Sequence, residues 1–225
     1  MSKQFLIFFS VILFIGCSKD KSKIDPSIKI NYNIGDHSTY EYYVENHFDD
    51  TTQTNRDTTY ILTDTVEKII EKDTLINDKK CLVILSKSAG KSDHKDYLEI
   101  TDTSYNYFAY LFVQNNEILF YEKPVVAYKT SLSIGTSWDI NTGIPNKMLV
   151  TDITSLNIKS KTYTCAKLQF KLQEKGQNGH VVNFEEYVDE KGVVLSKHDI
   201  EKFEAIFSDK SAGYIEGKYR MTRIE

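Results

Sequence analysis

The chain has 225 residues, a formal net charge of −4, and 15 Tyr and 12 Phe against one Trp. A weakly acidic chain without a basic run gives phosphate backbones nothing to bind, so no nucleic-acid partner is expected. The length fits one β sandwich or barrel, and abundant tyrosine suits half-buried strands whose rings pack while their hydroxyls reach water.

The chain opens on a leader. Met1 to Gln4 carries the amino terminus and Lys3, and the apolar run Phe5 to Ile15 is too short to cross a bilayer as a helix. It reads as a signal-peptide core. Its ending, Phe14, Ile15, Gly16, Cys17, resembles the lipobox of bacterial lipoproteins, where the leader is cut before a cysteine that then carries lipid. Gly16 leaves room for a peptidase, and a thiol suits a thioether-linked lipid. An ordinary secretory signal or an uncleaved anchor fits less well, since Phe14 and Ile15 stay bulky up to Gly16. Ser18 to Asp25 has the small, charged composition of a tether. Ser18 resembles lipoproteins sorted to the outer membrane, and the sequence does not choose between the periplasmic and outward sides. The expected organisation is a signal peptide over 1–16, a lipidated Cys17 with a flexible tether over 17–26, and one β domain over 27–225.

From Ile28 onward the pattern is that of strands and Asn, Asp or Gly turns. Ile28, Ile30, Tyr32 and Ile34 alternate up to Gly35 and Asp36, and Tyr40, Tyr42 and Val44 alternate after them, which predicts a hairpin. Thr58 to Lys72 is a long β run, Asn77 and Asp78 form a turn, and Cys81 to Leu85 follows as a strand. Asn115 with Asn116 and Gly176 to Gly179 mark further turns. Tyr105 to Tyr121 is apolar on both faces, with Tyr105, Tyr107, Ala109, Leu111 and Val113 opposite Phe108, Tyr110 and Phe112. Such a hairpin is either central core or one wall of a groove for an apolar ligand, and core is the commoner case. In Tyr163 to Gln173 the apolar face switches near Cys165, which predicts a bulge there. Phe203 to Phe207 reads as a strand by the spacing of Phe203, Ala205 and Phe207. A faint echo links Asp64 to Ile84 with Asp152 to Leu168: each has a β run, a turn with lysines and a cysteine-bearing strand. It implies two similar halves within one sheet system.

Cys81 and Cys165 sit in a compartment that permits a disulfide, and two small buried thiols are the favoured reading. His37, His47, His94, His180 and His198 are scattered and read as surface or turn residues, with no metal-ligand spacing. No phosphate loop, nucleophile elbow or calcium loop is present, so neither catalysis nor a cofactor is expected. Glu185 and Glu186 are adjacent and would point to opposite faces of a strand. Asp50, Asp57, Asp64 and Asp73 each precede a threonine in a pattern resembling an O-glycosylation sequon of Bacteroidetes envelope proteins. Threonine in strands beside aspartate turns explains the same pattern.

The order of short motifs carries a wider resemblance: Ile34-Gly35-Asp36 leading to Tyr40-Glu41-Tyr42, then Ile134-Gly135-Thr136-Ser137-Trp138, the Lys161 to Leu168 strand, and Tyr187 to Gly192 before Val193-Val194-Leu195. It resembles uncharacterised Bacteroidetes cell-envelope lipoproteins. The chain departs from them at His37 to Thr39, where tryptophan is commoner, and at Asp189 to Lys191. The resemblance implies an all-β fold, a curved antiparallel sheet forming an open half-barrel or barrel, with glycines 35, 135 and 192 at turns and Trp138 in the concave core. The expected function is a lipid-anchored, non-catalytic envelope domain that binds a partner or forms part of the coat. The alternatives are a carrier or sensor holding an apolar molecule or lipid against Tyr105, Tyr107, Phe108, Tyr110, Phe112 and Trp138, and a hydrolase centred near Asp93, His94 and Asp96.

Overall fold

The computed structural model describes residues 26–50, 58–89, 91–112, 117–141, 145–173, 181–207 and 210–225. Every regular element among them is a strand: β1 (Ser27–Lys29), β2 (His37–Asp50), β3 (Thr58–Ile76), β4 (Lys79–Ser88), β5 (His94–Ile100), β6 (Ser104–Phe112), β7 (Glu117–Lys129), β8 (Ser131–Ser133), β9 (Ser137–Asn141), β10 (Pro145–Ile158), β11 (Lys161–Gln173), β12 (Val181–Asp189), β13 (Gly192–Phe207) and β14 (Lys210–Arg223). Twelve form one antiparallel sheet in the order β7-β6-β5-β4-β3-β2-β14-β13-β12-β11-β10-β9, and β1 pairs with β8 as a separate ribbon. The sheet curls until its edge strands β7 and β9 touch without pairing, a nearly closed barrel. The all-β, curved antiparallel reading therefore holds, and Phe203 to Phe207 is strand.

Because all neighbours are antiparallel, the chain reverses alternately at two ends. One end carries the β3–β4, β5–β6, β10–β11 and β12–β13 turns together with the β1–β8 ribbon, and we call it the capped end. The Asn77–Asp78 turn lies there, with φ of 49° and 61°, the left-handed pair that matches strand twist in a two-residue hairpin. Inside this half, Leu82, Leu98, Val150, Ala166, Leu168 and Val188 pack around Trp138, and Ile30 and Leu132 plug the end. Burying such side chains stabilises by about 1.5–3 kcal/mol each.

The faint echo is a real duplication. Gly35 N–H donates to Ile70 O (2.8 Å) and Ile70 N–H to Asp36 O (3.0 Å); Gly135 N–H donates to Val150 O and Val150 N–H to Thr136 O, both at 2.9 Å. Both glycines have positive φ, 91° and 87°, a conformation open to glycine at little cost. In each half a bulge follows the anchoring residue: Ile70 pairs with Ile84 and Lys72 with Val83, while Val150 pairs with Leu168 and Asp152 with Lys167. Each bulge thus faces the second and third residues after a buried cysteine. β1–β7 and β8–β14 are two copies of one plan, a short strand followed by a six-strand meander.

The junctions between the halves differ. β14 and β2 pair continuously from Gly213↔Asp50 to Arg223↔Tyr40. The equivalent β7–β9 junction is unpaired, because β9 spans only Ser137–Asn141 and residues 121–124 of β7 bulge out opposite Phe108. Pro124, within that bulge, has no N–H to offer an edge ladder.

Three expectations need correction. The predicted hairpin between Ile28–Ile34 and Tyr40–Val44 does not form: β1 pairs with β8, and the Gly35–Asp36 backbone is bonded to Ile70. The bulge expected near Cys165 lies in the partner strand, at Thr151, since a two-against-one mismatch can be carried by either strand. In β6 the faces are not those of simple alternation. A register shift at Phe108 puts Phe108, Ala109 and Leu111 together on the outer face with Cys81, Val83 and Tyr97, while Tyr107 and Tyr110 both touch Tyr121.

Candidate ligand-binding interior

The strands' alternation sends every second side chain into the barrel. Near the capped end these are core, crossed by a polar layer. Glu186 of β12 is 7% exposed and accepts a hydrogen bond from Tyr128 Oη of β7 at 2.8 Å. Burial pushes its carboxyl up to about 7, against the opposing hydrogen bonds of Tyr128 and Ser196 and the attraction of Lys68. Its neighbour Glu185 faces outward, bridged by Lys167 (2.7 Å) and Lys197 (3.2 Å). Burial raises Glu185, but hydrogen bonds from Lys167, Tyr187 and Lys197 outweigh it and hold the carboxyl at about 2. The opposite faces expected for this pair are observed. At the capped rim Arg223, 4% exposed, donates to both carboxylate oxygens of Asp189 at 2.9 Å and to the carbonyls of Gly192 and Val193, tying the last strand across β13 to β12.

Further towards the open end the inner wall changes character. Five rings on five adjacent strands form a ladder: Phe170–Phe184 (4.7 Å between centroids), Phe184–His198 (4.6 Å), His198–Tyr219 (4.5 Å) and Tyr219–Tyr42 (4.7 Å). Each is only partly buried. Burial lowers the His198 imidazole to about 4, so it is neutral at pH 7 and the ladder is uncharged. A second aromatic group lies on the β5–β7 wall, where Tyr121 packs on Tyr110 (5.4 Å) and Tyr107 (6.5 Å), and His94 Nε2 meets Asp96 Oδ1 at 2.8 Å. His94 and His198 are thus inner-wall residues of β5 and β13, not surface or turn residues. Strand parity placed them there, and isolated histidines carry no signal of it.

The predicted groove residues fall in different places. Tyr105 is core, edge-on to Tyr32 at 5.0 Å, its hydroxyl donating to Ile30 O. Trp138 is core as the resemblance implied. Phe108 is on the outer face, buried beneath the Lys79 ammonium at 4.6 Å from its ring. Tyr107 and Tyr110 are brought together by Tyr121. The side chain of Phe112 lies outside the described residues, as do Cys17, His180 and the turns at 115–116 and 176–179. The ladder went unseen in the sequence because its members come from five strands; the signal available was one inward aromatic per strand at matching register. Cys81 and Cys165 are free, buried thiols, Cys165 held up to about 12 by burial and then by Asp189. Of the four Asp-Thr sites, Thr51, Thr52 and Asp57 lie outside the described residues, Thr65 is exposed and Thr74 half-buried.

No family model matches the chain, and no curated protein matches it. Among solved structures it is similar to a "putative exported protein with YmcC-like fold" from Bacteroides fragilis, at 9% identity and a TM-score of 0.43, covering 89% of this chain and 100% of the other. It is also similar to a "putative lipoprotein" from Parabacteroides distasonis, at 10% identity and a TM-score of 0.36, covering 89% of this chain and 99% of the other.

Proposed function

We propose that this chain is a lipid-anchored, non-catalytic binding domain of the cell envelope, most simply of the outer membrane, which holds an apolar ligand against the inner wall of its open half. The observation that carries this reading is the ring ladder from Phe170 to Tyr42. It is a continuous aromatic surface on a concave wall, left half-exposed by the fold while the capped half of the same interior is sealed. Exposed apolar surface of that extent in a concavity is characteristic of a binding site. Tyr110 and Tyr121 form the facing side.

Expression of Ser18–Glu225 without the anchor, followed by solvent extraction and mass spectrometry, should yield a co-purifying lipid or other apolar molecule. Phe184→Ala and Tyr219→Ala should each release it or weaken binding of an environment-sensitive fluorescent fatty acid at least tenfold. A wild-type protein that carries nothing and binds no probe sinks the proposal. For the anchor, palmitate labelling should be lost in Cys17→Ser; label that persists refutes lipidation at that residue. A protein partner is the second reading, favoured by Ile118, Leu119 and Phe120, which stand exposed in succession on the edge strand β7.

A further inference from the structure

A cavity of about 60 Å³ reaches the capped rim at Lys191 and Gly192, and its wall includes Tyr32, Ser38, Lys68, Tyr107 and Tyr128. Space of that order holds a few waters, or one group of roughly four or five heavy atoms. What sets this cavity apart is the state of its hydrogen-bonding groups. Lys68 rises from β3 beside Ser38, its register partner on β2. Its ammonium stands 5.6 Å from the centre of the Tyr40 ring and, among the described residues, has no hydrogen-bond acceptor and no carboxylate at ion-pair distance. The hydroxyls of Tyr32 and Tyr107 likewise donate to nothing among the described residues.

The acids around the cavity, by contrast, are already engaged. Asp96 accepts from His94 at 2.8 Å, Asp36 from the Asn33 N–H at 2.9 Å, and Glu186 from Tyr128 at 2.8 Å. Tyr32, Lys68 and Tyr107 are each only partly buried, so these donors are within reach of solvent and of a ligand. Asp36 and Asp96 share the wall, each accepting through one carboxylate oxygen, while Lys68 and the hydroxyls offer donors to a ligand that brings acceptors. Lys191 at the rim adds a second positive charge. Gly192 keeps the rim in shape: its φ is 101°, and a Cβ there would come within 2.9 Å of Tyr32 Oη, displacing one of the donors.

We propose that this cavity is a binding site for a small oxyanion, a carboxylate or phosphate group, with Lys68 supplying the charge and the hydroxyls of Tyr32, Tyr107 and Ser38 holding its oxygens. The group is either a free anion or the head of an amphiphile whose tail runs along the aromatic wall, since Tyr107 belongs to both the cavity and the Tyr121 cluster. The anion site does not depend on the wall: it can hold a free anion even if the open half binds nothing.

The test is calorimetric titration of the full-length protein in non-ionic detergent with inorganic phosphate, with acetate and with octanoate, each at constant ionic strength. Saturable binding is expected, weakened tenfold or more by Lys68→Met and severalfold by Tyr107→Phe, with Lys68→Arg retaining most of it. Lysine-dependent binding of phosphate or acetate identifies a free anion as sufficient; lysine-dependent binding of octanoate alone identifies an amphiphile head. Failure of all three to bind, or binding that Lys68→Met leaves unchanged, overturns the site, and octanoate bound equally by Lys68→Met would do so while sparing the aromatic wall. Should Lys68→Met not fold, Tyr107→Phe and Lys191→Ala decide, and unchanged affinity in both overturns the proposal.

Discussion

The capped and open halves of the barrel are made by the same strands, yet their interiors obey different rules. In the capped half, Leu132 and Leu168 have no exposed surface, and Arg223 is buried with its carboxylate and carbonyl partners. In the open half the inward residues of five adjacent strands form an aromatic, contiguous and half-exposed ladder. The β1–β8 ribbon explains the difference: it closes one end, and the strands run on past the core it seals. Stability is concentrated where the ribbon excludes water, and the rest of the wall is left to meet something else.

Four measurements probe that contrast. The largest loss is expected from Arg223→Met, which strands Asp189 and two carbonyls at the capped rim; urea unfolding should show about 3–5 kcal/mol of destabilisation. Next, Leu168→Ala should cost about 2–5 kcal/mol, the range for a fully buried leucine. Phe184→Ala, despite removing a larger side chain, should cost only about 1–2 kcal/mol, chiefly its two ring contacts. If the phenylalanine proves as costly as the leucine, the two interiors are not distinct in kind.

The third concerns pH. Glu186 titrates near 7 in the folded chain against 4.5 as its ordinary value, so the native state holds the proton more tightly. Stability should therefore fall as pH rises from about 4.5 to 7 and level off above, by roughly 1.4 kcal/mol per unit of pKa difference at most. Glu186→Gln should leave stability unchanged at pH 4 and flatten this decline, a divergence readable in thermal midpoints across the range. A decline as steep in the variant would assign it to another group. The smallest effect is expected from Asp78→Gly, which relieves a positive φ in the β3–β4 turn and should stabilise by several tenths of a kcal/mol in the same unfolding assay.

Much of the local structure was legible in the residues. Asn77 and Asp78 announced their turn because few residues tolerate left-handed backbone, and Glu185 and Glu186 had to face opposite ways because strands alternate. The echo between the two cysteine-bearing hairpins was visible, although its main proof, the paired Gly35–Ile70 and Gly135–Val150 bonds, spans contacts that sequence spacing does not reveal. Ala109, Tyr110 and Leu111 were misplaced because the bulge at Phe108 reverses every subsequent face. The ring ladder and the unpartnered Lys68 were hidden for a different reason. Neither is a property of any one segment.

By itself, then, the amino-acid sequence determined what depends on neighbours along the chain: an all-β domain, its turns, and the parity of its strands away from bulges. Only the tertiary structure decided which strands pair, that β1 meets β8 instead of β2, that one junction between the halves closes and the other does not, and which rings and donors share an interior. Backbone geometry is local and leaves its mark in every few residues, whereas pairing and burial are settled between segments up to about two hundred residues apart, where each contact is read only once both partners are in place.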